Sequence, residues 1–278
     1  MTPIDSENIL NIRRNIYRLG INGGMAHLAS SFSCVEILYA LFMKNILKYK
    51  INEPTWKDRD RFVLSKGHAG LALYCTMAAA GLVNESVINT YLQPGSHIGG
   101  EPSMRDLPGI EASTGSLGHG LAMAVGMALG QKMDHSQGKT YVVIGDGECE
   151  EGVIWEAAAS ATAFELNNLI VIMDNNKIQK MDQTKNIIGN PNWEEKWKSF
   201  GWEVLSADGH DVEELIAKLQ IPEGNKPRII IADTIKGKGV SIMENNPNWH
   251  FKIPNKKERK IFEKDLQLGG ENAECIHQ

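Results

Sequence analysis

The chain is poor in several things, and each shortage narrows the reading. Cysteine is scarce: Cys34, Cys75, Cys149 and Cys275 are the only four in 278 residues, with no C-x-x-C pair. That usage fits reduced thiols and a cytoplasmic setting, not a disulfide scaffold. Cys149 reads as a small filler rather than a reactive thiol. No apolar stretch has the length of a bilayer span, and the most apolar, 120–130, is too short to be one. The opening MTPIDSENI has neither a basic nor an apolar leader region, so no secretory signal is expected. Basic charge is also in deficit, with 29 Lys and Arg against 34 Asp and Glu, and there is no basic stripe. Nucleic acid and membrane are therefore not expected partners. No repeat, no low-complexity linker and no G-x-G-x-x-G after a strand is found, which sets aside a dinucleotide fingerprint.

What is present centres on Tyr141 to Asn176. Tyr141 to Ile144 is a β-branched and aromatic run, broken by Gly145-Asp146-Gly147. Val153 to Phe164 follows as an Ala-rich helix. Leu169 to Met173 is a second apolar strand, ended by Asp174-Asn175-Asn176. Two apolar strands joined by a helical crossover make a βαβ unit in a parallel sheet. Ligands of such sheets bind beyond the carboxyl ends of the strands, where both polar turns lie. Asp146 offers a carboxylate there, Asn176 an amide oxygen, and the Ile178 carbonyl a third oxygen. Oxygen ligands with few carboxylates suit Mg2+ that also holds phosphates. The helix behind the glycines would point free N–H groups at the anion.

Along the rest of the chain, Ser6 is placed to cap a helix carrying Ile9, Ile12, Ile16 and Leu19, and Ser33 to cap another. His27 stands between them in a loop of small residues. Alone, a loop histidine is more often a surface residue than a functional one. Arg61 to Ser65 reads as an edge strand, and Ser65 to Gly70 turns with His68 into a helix. Tyr91 to Gly109, with three prolines, is an irregular loop of functional length. Gly115-Ser116-Leu117-Gly118 opens a long helix to about Lys132, and its small residues let a flat ligand lie on the backbone. Further helices are expected at Glu194 to Phe200, Asp211 to Leu219 and Asn255 to Leu268, with strands at Trp202 to Leu205 and Arg228 to Asp233. Thr234 to Val240 is a Gly-rich turn at the same sheet edge, with lysines that read as solvated. Residues 1–268 are expected to form a single domain, with 269–278 as a loose tail.

In this order, RDRFVLSKGHAG, LPGIEASTGSLGHG, GDGECEEG, MDNN and the WH after Pro247 resemble the N-terminal, diphosphate-binding domain of transketolase. GDG followed by the second Asn of NN, 30 positions after the Asp, matches the thiamine diphosphate (ThDP) motif. The resemblance runs from about Asn8 to Leu268 and implies a three-layer α/β fold, a mostly parallel sheet flanked by helices. It implies that Asp146, Asn176 and the Ile178 carbonyl bind Mg2+. Gly115, Ser116, Leu117, Gly118, Gly147 and Asn176 would line the cofactor, with Glu151 at a nearby contact between subunits. His27, His68 and His250 would border cofactor and substrate and carry the proton transfers, for which imidazoles are suited.

By the same resemblance the reaction is transfer of a two-carbon ketol unit from a ketose to an aldose. A full transketolase carries a pyrimidine-binding domain that supplies an essential Glu, and no counterpart is found in this sequence. The resemblance therefore implies a separate pyrimidine-binding subunit, two copies of each chain in a heterotetramer. Two departures fall at the substrate channel. Glu101 stands in Gly-Glu-Pro where the family commonly has His, with His97 as a conceivable substitute, and His250-Phe251-Lys252-Ile253-Pro254 is bulkier than the family's version. Both suggest an unusual sugar substrate: an amino-, deoxy- or nucleotide sugar. Two other readings remain: the α subunit of a 2-oxo acid dehydrogenase or decarboxylase, which carries the same cofactor motif, and a non-catalytic scaffold with a relic site.

Overall fold

A computed structural model of the chain describes all residues except 25, 26, 188, 190, 191 and 269–278. Five strands form one sheet: β1 (Arg61–Leu64), β2 (Thr140–Gly145), β3 (Leu169–Asn175), β4 (Glu203–Asp208) and β5 (Arg228–Asp233). Their order across the sheet is β1-β2-β3-β5-β4, and every neighbouring pair is parallel. Among the described residues eleven helices surround them: α1 (Pro3–Gly23), α2 (Leu28–Ser33), α3 (Val35–Met43), α4 (Gly70–Ala79), α5 (Glu85–Ile88), α6 (His119–Met133), α7 (Gly152–Ala163), α8 (Thr184–Ile187), α9 (Trp193–Ser199), α10 (Val212–Leu219) and α11 (Lys256–Asp265). The expected tail, 269–278, lies outside the described residues.

Because both faces of the sheet are covered, its central strands are apolar throughout rather than alternating. All seven side chains of β3 are buried. The period of two still sorts them: Tyr141, Val143, Ile170, Ile172 and Ile230 join the core under α1–α4 and α10. Val142, Ile144, Val171, Met173, Ile229 and Ile231 join the core under α6, α7 and α9. This is the three-layer arrangement expected from the sequence.

Several boundaries move, each for a local reason. The first helix starts at Pro3, not near Ser6. Thr2 is its cap, exchanging hydrogen bonds with Asp5 in a capping box, and Pro3 fits the first turn because its missing N–H would have no partner there. Ser33 does not cap α3. Cys34 takes that position, and the Ser33 hydroxyl, 3.0 Å from the Ser30 carbonyl, donates instead to Asp174 at 2.6 Å. A short 3-10 turn, Gly147–Glu150, is interposed before α7. Beyond it α7 starts at Gly152, one residue before the expected Val153.

Candidate functional site

Four adjacent strands end at one place. The turns after β1, β2, β3 and β5 carry Lys66 and His68, Asp146 and Gly147, Asn176 and Ile178, and Lys236. They line one cleft of about 340 Å3 together with His27, Ser30, Glu101, Gly115, Leu117, Glu151 and His250. That volume is in the range of small-molecule sites.

The floor is a buried polar hub. Asp174, the last but one residue of β3, is fully buried and paired with the equally buried Lys66. It also accepts from Ser33, from the Thr234 hydroxyl and, at 3.2 Å, from the Asn176 amide N–H. The last bond fixes the Asn176 amide, leaving its Oδ1 toward the Ile178 N–H at 3.1 Å. Lys66 and the hydroxyls hold the Asp174 carboxyl below its usual range despite the burial that opposes them. Asp146 accepts from the Thr184 hydroxyl at 3.0 Å. Burial, reinforced by the Asp174 charge, pushes Asp146 up to about 6. A divalent cation beside it would relieve that penalty.

Above the floor stand three histidines, with ring centroids 5.1 to 5.9 Å apart. Burial, aided by neighbouring lysines, lowers all three: His27, along with His68, which falls well below the usual imidazole value, and His250, which falls to about 3. They are neutral near pH 7, so each has one N–H and one lone pair. His27 Nδ1 lies 3.1 Å from the His250 carbonyl, which can only accept. Its proton is therefore on Nδ1, and Nε2 is a free acceptor. His250 Nδ1 lies 3.0 Å from Lys236 Nζ, which donates. Its own proton is therefore on Nε2. One histidine offers a base and the other a donor.

The residues fit a diphosphate and a cation. The Ser30 hydroxyl is buried at the cleft wall and has no hydrogen-bond partner, so a donor is left for an incoming acceptor. Lys66 and Lys236 put two buried ammonium groups at the floor. Among the described residues no three His, Cys, Asp or Glu side chains gather as a metal cluster. The expected set of one carboxylate, one amide and one carbonyl is not of that kind.

Of the residues singled out in the sequence, His27, His68, Glu101, Gly115, Leu117, Asp146, Gly147, Glu151, Asn176, Ile178 and His250 line this cleft. Three do not. Ser116 is exposed and pairs with His119. Gly118 lies behind the wall, where its N–H donates to Glu148 at 2.7 Å. His97 is exposed and outside the cleft, so the suggested substitution for a histidine at position 101 is not supported by its placement. The lysines of Thr234 to Val240 were expected in solvent, and Lys236 corrects this: it is 2% exposed and donates to the Ile178 carbonyl at 2.8 Å. Burial brings it down to about 8. Ser30, Lys66, Glu148, Glu150 and Gln179 also line the cleft and were not singled out. Position just after a strand was the available signal for Lys66, and none marked Ser30.

The family model described as "Transketolase, thiamine diphosphate binding domain" matches residues 21–272. An apulose-4-phosphate transketolase subunit of Phocaeicola vulgatus is 37% identical over 267 residues, 94% of each chain. The 6-deoxy-6-sulfo-D-fructose transketolase subunit SqwG of a Clostridium species is 41% identical, covering 87% of this chain and 88% of that one. Among solved structures, transketolase from Campylobacter jejuni superposes with a TM-score of 0.86 at 30% identity, over 96% of this chain but 43% of its own. The chain thus spans nearly all of the two transketolase subunits and less than half of the Campylobacter enzyme. The strand-end cleft, the motif spacing and these matches agree: the chain belongs to the transketolase family.

Proposed function

We propose that the chain is the diphosphate-binding subunit of a two-chain, ThDP- and Mg2+-dependent transketolase that moves a two-carbon ketol unit from a ketose to an aldose. The observation that carries this reading is the gathering of Asp146, Asn176 and Ile178 in one cleft with three histidines. Asp146, Asn176 and Ile178 would hold Mg2+. Gly147, Ser30, Lys66 and Lys236 would hold the diphosphate, and Gly115 and Leu117 the flat rings. When bound, ThDP supplies a thiazolium carbon nucleophile able to cleave the bond next to a ketose carbonyl. His27 Nε2 would take a proton from a substrate hydroxyl, and His250 Nε2–H would donate to a carbonyl or developing oxyanion.

The partner is a separate subunit with the pyrimidine-binding domain, and the substrate is a sugar. The named relatives act on apulose 4-phosphate and on a sulfonated deoxyfructose, which supports an uncommon substrate here too. Cys34, Cys75 and Cys149 are free and buried, which supports work in the reducing cytoplasm. No described helix is long and apolar enough to cross a membrane. Calorimetry with ThDP and Mg2+ tests the reading, first on the chain alone and then with a co-expressed pyrimidine-domain chain. Mg2+-dependent binding by the pair, followed by ketol transfer, is expected. Absence of binding in both cases, or release of CO2 from a 2-oxo acid by the pair, overturns it.

A further inference from the structure

We propose that Glu148 is the positioning residue of the cofactor cleft, a buried carboxylate that holds three cofactor-lining loops in register. The inference rests on the ThDP reading above. Glu148 is 2% exposed and has no cation within ion-pair distance among the described residues. It accepts three hydrogen bonds instead, each from a different loop. The Ser65 hydroxyl comes from the turn after β1, which carries Lys66 and His68. The Gly118 N–H, at 2.7 Å, comes from the turn opening α6, which carries Gly115 and Leu117. The Gly145 N–H, at 3.0 Å, comes from the end of β2, next to Asp146.

Such a site needs a carboxylate. Two backbone N–H groups and a hydroxyl converge on it, and only a group with two acceptor oxygens and no hydrogen can take all three. An amide would turn an NH2 toward one of these donors. The loops that supply these donors also meet in close contact. A Cβ on Gly120 would come within 2.6 Å of Ser65 Cα, so α6 starts in backbone contact with the β1 turn. Gly118 has φ +84°, and a side chain there would run into Val153 and Glu151 at the start of α7. Ser65, Gly118 and Gly145 are thus pressed around one acid, and its loss leaves buried donors unmatched and the loops free to drift apart. Catalysis and binding fall steeply with misplacement on the ångström scale. Glu148 thereby acts on ThDP through the loops and not as a catalytic residue.

The test compares wild-type, Glu148→Gln and Ser65→Ala chains, each assembled at saturating Mg2+ with the pyrimidine-binding subunit. The readouts are the ThDP dissociation constant, kcat at saturating ThDP, and Tm without cofactor. In Glu148→Gln one charged hydrogen bond is lost, and the ThDP constant should rise about tenfold, with a smaller fall in kcat at saturating ThDP. Ser65→Ala removes one of three donors and keeps the acid, so about threefold is expected, and it tests the idea even if Glu148→Gln fails to fold. An unchanged ThDP constant in a folded Glu148→Gln, or in Ser65→Ala should the first not fold, overturns the proposal, as does a lowered Tm with no change in the constant. Failure of the wild-type pair to bind ThDP would instead remove the cofactor reading, and this inference with it. The two failures are told apart by the wild-type measurement.

Discussion

Glu101 is where a single residue bears most directly on substrate choice. Its side chain lies over Gly115, so closely that a Cβ there would sit 2.6 Å from the Glu101 carboxyl carbon. The Tyr74 hydroxyl donates to the Glu101 carbonyl at 2.9 Å and ties this loop to α4. The carboxylate itself has no hydrogen-bond or ion-pair partner among the described residues. It therefore faces the cleft as an uncompensated negative charge, on the wall that carries Leu117. A hydroxyl or ammonium group on a substrate would complement it, and a phosphate nearby would be repelled. Glu101→His should raise kcat/KM for ordinary ketose phosphates by about tenfold, the scale of one partly screened charge interaction. The ThDP constant should be unchanged, since Glu101 is not among the groups assigned to the diphosphate. Steady-state kinetics on a panel of phosphorylated and amino-substituted sugars checks this, and an unaltered order of preference would refute it.

At the level of elements, the site depends on strand ends lying side by side, and the buried Lys66–Asp174 pair joins three of them through Thr234. Lys66→Met would strand the Asp174 carboxylate in the core with only hydroxyl and amide donors. Breaking one side of a buried pair costs about 3–5 kcal/mol. For a chain of this size that lowers Tm by roughly 5–10 °C, readable by calorimetry, and a shift under about 2 °C would show that the pair is not holding the strand ends. The elements on which this rests were readable in the sequence, because β-branched runs closed by Gly-Asp-Gly and Asp-Asn-Asn mark parallel strands and their ends. That Asp146, Asn176 and Ile178 meet in one cleft was therefore legible from chain position. Lys236 was not, because a lysine in a Gly-rich turn looks the same whether its ammonium meets water or a buried carbonyl. The Glu148 contacts were hidden for a related reason: its three donors come from positions 65, 118 and 145, and no local pattern reports a junction so long in range. Thr2 was passed over for Ser6 because both are good caps, and only the Pro3 and Asp5 neighbours decide between them.

On the scale of the whole molecule, the cleft opens to solvent between loops that carry large exposed apolar side chains. Phe251, 51% exposed, lies with its ring 4.7 Å from His27. Met181, 80% exposed, follows Lys180 at the cleft edge, and Met104, 61% exposed, follows the Glu101 loop. Large exposed apolar side chains beside a polar cleft, as Phe251 is beside His27, are the pattern of a surface that is covered in the working protein. The chain matches nearly the full length of proteins named as transketolase subunits and less than half of the Campylobacter transketolase. The separate pyrimidine-binding chain of the proposed function is an occupant that would fit both facts. Under the proposed function such a partner would cover the mouth and exclude water from the histidines, and the interactions of Lys66 and Lys236 with a diphosphate would strengthen. Mixing the two purified chains should therefore give a discrete particle of two copies each by light scattering. Phe251→Asp and Met181→Asp together should weaken its assembly by tenfold or more, since burying an unpaired charge in an interface is costly. The double variant should leave the fold of the isolated chain intact, because both side chains are exposed in it. Assembly of that variant at wild-type affinity would mean that the partner covers a different face, and that the cleft opens to solvent in the working enzyme.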